Sequence, residues 1–173
     1  MTDDAIDIAG REWAQAYPRL DVGPGEVLAR VSRLGHLIET AQNRRLRRRP
    51  GMFVSNVGDF DVLRALRRVG PPYTLTPTQI YQAMLVSPAG LNGRLKRLEH
   101  EGWITRRASA TDGRSTLVQL TPEGVADLDR DLESHYAFES DLLRQLGADE
   151  RTEVADQLRR LLLDIETRLS DTP

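Results

Sequence analysis

The sequence contains no cysteine, which removes thiol redox sensing and cysteine-held metal from its chemistry and says nothing by itself about compartment. Aromatic residues are scarce at 5%, and hydrophobic residues reach 39%. That is enough for one core, and the long charged helices suggest that part of the apolar surface is buried by a partner. No apolar run is long enough to cross a membrane and no signal peptide is recognisable, so a cytoplasmic protein is expected, with no membrane contact. His36, His100 and His135 are dispersed, and there is no nucleophile motif, metal spacing or phosphate loop. Gly23-Pro24-Gly25 reads as a turn before a helix. The sequence therefore predicts neither an enzyme nor a cofactor.

What is present is a segregation of charge that the formal net value of -2 conceals. Residues 44–114 carry 14 lysines and arginines against 5 acids, a balance of +9. Residues 1–43 stand at -3 and residues 115–173 at -8. A basic middle between acidic ends predicts a phosphate-binding lobe built from the middle, with the ends facing elsewhere.

The stretch 75–121 has the grammar of a helix-turn-helix followed by a β-wing. Leu75-Thr76-Pro77, Val86-Ser87-Pro88 and Leu120-Thr121-Pro122 each place an apolar residue, a hydroxyl N-cap and a proline at the first helical position. Ile80, Leu91 and Val125 follow as staple partners, and Thr76 with Gln79 makes a capping box. Only about ten residues separate the first two starts, which is helix-turn-helix spacing. The second helix, over 88–101, carries Leu91, Leu95 and Leu98 on one stripe for burial. Its other faces hold Ala89, Gly90, Asn92, Gly93, Arg94, Lys96 and Arg97. Glycine inside a helix costs roughly 1 kcal/mol relative to alanine, and close approach to another surface would compensate. The wing runs over 103–107, turns around Asp112-Gly113-Arg114 and returns over 115–120. Asp112 is either a turn former or part of the DNA contact. Arg114, near the tip, suits a minor groove. The candidate DNA-binding residues are Ser87, Ala89, Asn92, Arg94, Lys96, Arg97, Asp112 and Arg114, with double-stranded DNA as the partner.

The flanks read as helices. Residues 25–48 repeat Val27, Val31, Leu34, Leu37, Ile38 and Ala41 at helical spacing and close on Arg44, Arg45, Arg47, Arg48 and Arg49. Arginines suit a helix C-terminus through the macrodipole and equally suit a phosphate or ligand, so both readings stand. From Thr121 onward the apolar repeat breaks at Gly147 and resumes through Val154, Leu158, Leu162 and Leu169. Two amphipathic helices with nothing of their own to pack on predict a helical homodimer interface. A short helix over 4–17 carries Ile6, Ala9, Trp13 and Tyr17 on one face, with Trp13 as a docking anchor.

A long first helix, helix-turn-helix, wing with Asp112 and Arg114 at its tip, the Leu120-Thr121-Pro122-Glu123-Gly124 start and a final helical pair together resemble the MarR family of dimeric winged-helix transcription regulators. The resemblance runs from about residue 25 to the end; LKRLEHEGWITRR, DGRS and LTPEG are jointly specific. It implies a mainly α fold with a small β-wing: residues 1–58 as N-terminal helix and first dimerisation helix, 59–121 as winged helix-turn-helix, and 122–173 as C-terminal dimerisation helices. It also implies a regulator, a repressor by expectation, on a pseudo-palindromic operator. The block GDFDVLRALRRVGPPYTLTPTQIY and the added N-terminal helix look like the urate-responsive PecS/HucR-like branch of that family. That likeness implies a ligand site of Trp13, Asp61, Arg94 and Arg106 for a small anionic effector, urate or a related purine. Urate is planar and anionic, so an indole and guanidiniums suit it. Other readings stay open: Asp61 as a helix-start acid, Arg94 as a DNA contact, Arg106 as a strand cation, and a polycarboxylate or phenolic effector. The recognition-helix start Ser-Pro-Ala-Gly-Leu-Asn-Gly departs from the more polar start common in the family, leaving the operator sequence open. A winged helix used only for protein contacts is the rival outside this class.

Overall fold

The first helix, α1 (Ala5–Ala16), begins where Asp4 accepts hydrogen bonds from the N–H groups of Ile6 at 2.7 Å and Asp7 at 2.9 Å. Asp7 answers by accepting from the Asp4 N–H at 2.8 Å, so two donors that the helix cannot satisfy are satisfied reciprocally. The computed structural model describes residues 2–47, 54, 56–84, 89–108 and 116–171. Next comes α2 (Gly23–Arg47), whose first N–H is taken by Asp21 Oδ1 at 3.1 Å. Gly23-Pro24-Gly25, expected as a turn, is instead its first turn. Proline there loses no helical bond, which is why the triplet can be helical. Helix α1 packs on α2: Arg30 reaches back to Asp4 at 3.0 Å and Asp7 at 2.5 Å. Gly10 lies so near Glu26 that a Cβ would fall 2.1 Å from its carboxylate oxygen.

Helix α3 (Val57–Arg68) is the centre of the winged helix. Helices α2, α4 (Pro77–Ala83) and α5 (Leu91–His100) and strand β3 (Thr116–Leu120) all pack against it. Val57 to Leu63 are therefore buried on every face, aspartates included. Helix α4 keeps the expected capping box: Gln79 N–H donates to Thr76 Oγ1 at 3.2 Å and Thr76 N–H to Gln79 Oε1 at 2.8 Å. The recognition helix α5 begins at Leu91 rather than at 88. Gly90 holds φ 75°, a left-handed conformation that glycine adopts cheaply, and so caps the helix from outside it. The helical cost expected for Gly90 therefore does not arise. The Ser87-Pro88 start falls outside the described residues.

The sheet has three strands rather than two. Strand β2 (Ile104–Ala108) pairs antiparallel with β3 from Ile104 opposite Leu120 to Ala108 opposite Thr116. A two-residue strand, β1 (Thr74–Leu75), pairs on the other side of β3. The wing turn around Asp112-Gly113-Arg114 lies outside the described residues. At the wing's root, Thr121 Oγ1 donates to the Gly102 carbonyl at 2.9 Å and accepts from the Gly124 N–H at 3.0 Å. A Cβ at Gly124 would stand 2.5 Å from the Trp103 carbonyl oxygen. Glycine there lets the start of α6 (Pro122–Leu142) close against β2.

Two compact units divide the chain, residues 1–127 and 128–173. The second contains the end of α6 and all of α7 (Ala148–Ser170), with the expected break at Gly147, whose N–H donates to Glu150 Oε2 at 2.7 Å. Helix α7 buries no residue. Leu158, Leu162, Leu163 and Leu169 are exposed on it, as are Val27, Leu34, Leu37 and Ile38 on α2.

Candidate nucleic-acid interface and ligand site

Helix α5 divides cleanly by face. At about 100° per residue, Leu91, Leu95 and Leu98 form one stripe, and all three are buried. Asn92, Gly93 and Lys96 fall on the exposed side, and Ala89 is exposed in the turn that leads into the helix. All four are open to solvent. Ser87, Asp112 and Arg114, the remaining DNA candidates, lie outside the described residues.

Arg94 and Arg97 occupy the flank of α5 that turns toward α3. Arg97 donates from Nε to Asp59 Oδ2 at 2.7 Å and from Nη2 to Asp59 Oδ1 at 2.5 Å. This fork is the strong geometry for an arginine–carboxylate pair. Asp59 is only 2% exposed, and a third bond reaches it from Asn56 Nδ2 at 2.8 Å. The hydrogen bonds that Arg97 donates to Asp59, with the negative charge of that carboxylate nearby, hold the guanidinium above its ordinary pKa. Asn56 also caps α3 by accepting from the Asp59 N–H at 2.9 Å, while Asn43 of α2 accepts from the Val57 N–H at 2.8 Å. A polar chain thus runs from α2 through the start of α3 to the recognition helix.

Arg94 lies against Gly58: a Cβ there would fall 2.4 Å from the guanidinium carbon. A side chain at position 58 would make the Arg94 guanidinium shift from this place. Asp61, 3% exposed, stands three residues farther along α3, hence on the same side of that helix. Arg106, at the third position of β2, is joined to Glu99 of α5 through Nε at 2.7 Å. That hydrogen bond, more than the attraction of the charges, holds the Glu99 carboxyl below its ordinary pKa. Arg94, Asp61 and Arg106 are therefore tied to α5 or to the helix it packs on.

Trp13 lies on α1, which packs on α2. It is 55% exposed on α1, with Tyr17 as its ring neighbour at 5.6 Å. It lines a cavity of about 370 Å³ between α1 and α2 whose charged walls are Asp21 and Glu26. Asp61, Arg94 and Arg106 do not line it. Among the described residues no group of histidine and acidic side chains could hold a metal, and no helix is long and apolar enough to cross a membrane.

Sequence reasoning missed Asp59, Asn56, Asn43 and Gly58. One local signal existed: Asn56 and Asp59 stand at the N-cap and third positions of a helix, the spacing of a capping pair. The link from Asp59 to Arg97 spans 38 residues and leaves no local trace.

Residues 55–115 match the model of the MarR family. The HTH-type transcriptional regulator PecS of Dickeya dadantii (strain 3937) is 36% identical over 159 residues, covering 92% of this chain and 91% of PecS. Among solved structures, Sco3205, a MarR family transcriptional regulator from Streptomyces coelicolor in complex with DNA, superposes with a TM-score of 0.73. It is 22% identical, over 84% of this chain and 93% of Sco3205. The organohalide-sensing regulator RdhR-CbdbA1625, bound to 2,4-dichlorophenol, gives 0.70 at 17% identity over 84% of this chain and 82% of its own. At such identities these two structures speak for the fold alone.

Proposed function

Because the chain belongs to the MarR family of DNA-binding, winged-helix transcriptional regulators and is no enzyme, we propose that it is a cytoplasmic repressor. It binds a pseudo-palindromic operator as a symmetric homodimer and leaves that operator when a small planar anion of the urate class binds. Two recognition helices related by a two-fold axis would enter successive major grooves about 10 base pairs apart. Asn92 and Lys96 read or anchor the groove from the exposed side of α5, with Ala89 and Ser87 at its entry and Asp112 and Arg114 at the wing. The exposed leucines of α2 and α7 supply apolar surface for the dimer.

The observation that carries the ligand reading is the position of the Arg94 guanidinium, laid over Gly58 on the side of α3 where Asp61 is buried. An anion drawn to Arg94 and Arg106 would repel the Asp61 carboxylate, and α3 and α5 share the contact through which that push would travel. The ligand shifts the equilibrium only if it binds the DNA-incompetent arrangement better. RdhR-CbdbA1625 holds an aromatic molecule of similar size within the same fold. The acidic walls of the Trp13 cavity do not suit an anion, so Trp13 is a separate arm of the test.

A mobility shift on the gene's own upstream region, with urate titrated into the complex, tests this. Release at submillimolar to millimolar urate that is lost in Arg94→Ala is the expected result. No release at millimolar urate overturns the urate assignment, and release by 2,4-dichlorophenol or a tricarboxylate instead reassigns the effector. An unchanged response in Trp13→Ala removes the indole from the site. A wild-type chain that binds no duplex would favour the protein-contact module.

A further inference from the structure

We propose that Asp59 is a positioning residue for DNA binding: its buried carboxylate fixes the Arg97 guanidinium so that the outer edge of that group meets a backbone phosphate beside the recognition helix. The proposal rests on the DNA-binding reading above and adds to it a residue that never touches DNA.

The geometry points this way in three steps. First, the fork uses Nε and Nη2 of Arg97. A guanidinium has five N–H donors, so three remain. Second, the two partners differ sharply in exposure. The Asp59 side chain is 2% exposed and that of Arg97 is 45%. The carboxylate therefore sits behind the guanidinium, and the pair offers solvent its donors rather than its acceptor. Third, Arg97 lies at the border between the leucine stripe of α5 and the exposed side that holds Asn92, Gly93 and Lys96. Its open edge is thus next to the surface a duplex would cover.

Asp59 is itself held in place. Asn56 donates to its carboxylate and accepts from its N–H, and the start of α3 is tied to α2 through Asn43. A negative group at a helix N-terminus is also favoured by the helix dipole. An unrestrained arginine loses rotamer freedom on meeting a phosphate, whereas Arg97 has already lost it on folding.

The sign of the effect separates positioning from simple electrostatics. Asp59→Asn removes a negative charge beside the DNA face, so on charge alone it would tighten binding. Positioning predicts the reverse: affinity for a duplex carrying the gene's own upstream region falls about tenfold, and the salt dependence loses about one phosphate contact. Arg97→Ala gives the same loss of slope, and adding Asp59→Asn to it changes little further. Arg97→Lys keeps the charge without the fork and also weakens binding about tenfold; it remains decisive should Asp59→Asn unfold. The proposal is overturned if Asp59→Asn binds as tightly as wild type, if Arg97→Lys does, or if the Asp59→Asn and Arg97→Ala losses add. A wild-type chain that shows no salt-dependent binding to duplex overturns the DNA-binding reading itself, and the proposal with it.

Discussion

Helices α3 and α7 draw on similar side chains and end in opposite settings. Nine of the twelve residues of α3 are buried, two aspartates among them, whereas none of the 23 residues of α7 is. The difference shows which part of the chain is closed on itself. The winged helix completes its own core, so its polar residues must find partners inside the chain, as Asp59 finds Arg97 and Asn56. Helix α7, and with it the apolar side of α2, presents leucines that gain nothing until another surface covers them. In one region the sequence has solved a problem of burying charge; in the other it has left one of exposed hydrocarbon.

The largest expected effect tests the closed side. Phe60 is 1% exposed at the centre of α3, so Phe60→Ala should cost about 3–5 kcal/mol in chemical denaturation, as a large cavity in a packed core does. A cost below about 1 kcal/mol would mean that this core is not closed. On the open side, Leu162→Asp should leave secondary structure intact and weaken self-association by about 2 kcal/mol, roughly thirtyfold in dissociation constant. Sedimentation equilibrium reads this directly. Wild type should also melt at a temperature that rises with concentration, a dependence the variant loses. Equal association of the two proteins would remove α7 from the dimer interface.

A smaller effect asks how local a cap is. Thr76→Ala removes the acceptor of the Gln79 N–H at the start of α4 and keeps only the reciprocal bond, from the backbone N–H of residue 76 to Gln79 Oε1. The expected cost is about 1 kcal/mol, read as a lower denaturation midpoint at unchanged slope. Hydrogen exchange should show opening confined to α4.

Caps such as these were legible because their chemistry is local. Thr76 with Gln79, and Thr121 before Pro122, announce helix starts within three or four residues, and the leucine spacing announces the buried stripe of α5. Strand β1 was not legible, since two residues carry no period-2 signal. The true start of α5 was not either: Gly90 is read as helical unless its left-handed φ is known. Least legible was the tie between Asp59 and Arg97. The sequence suggested Arg97 as a DNA contact and offered no role for Asp59, and only the packing of α5 on α3 joins them. Long-range ion pairs are set by tertiary geometry, which residue type and spacing do not encode.

The smallest expected effect concerns a second acid–arginine pair on α5, one that differs from the first in exposure. Glu99 and Arg106 are each about one-third exposed, where Asp59 is buried. Water competes for both groups, so the pair should matter little to stability. It should still be visible in titration. The hydrogen bond from Arg106 depresses the Glu99 pKa below 4.5, so whatever stability it contributes is present above the unfolded value and is lost as pH falls through the folded one. In Arg106→Ala the Glu99 carboxyl, followed by NMR, should titrate at a higher pH than in wild type, with the denaturation midpoint at neutral pH almost unchanged. An unmoved Glu99 titration would show that the pair is not formed in solution, leaving Arg106 unengaged by α5 and its guanidinium fully available to an anion.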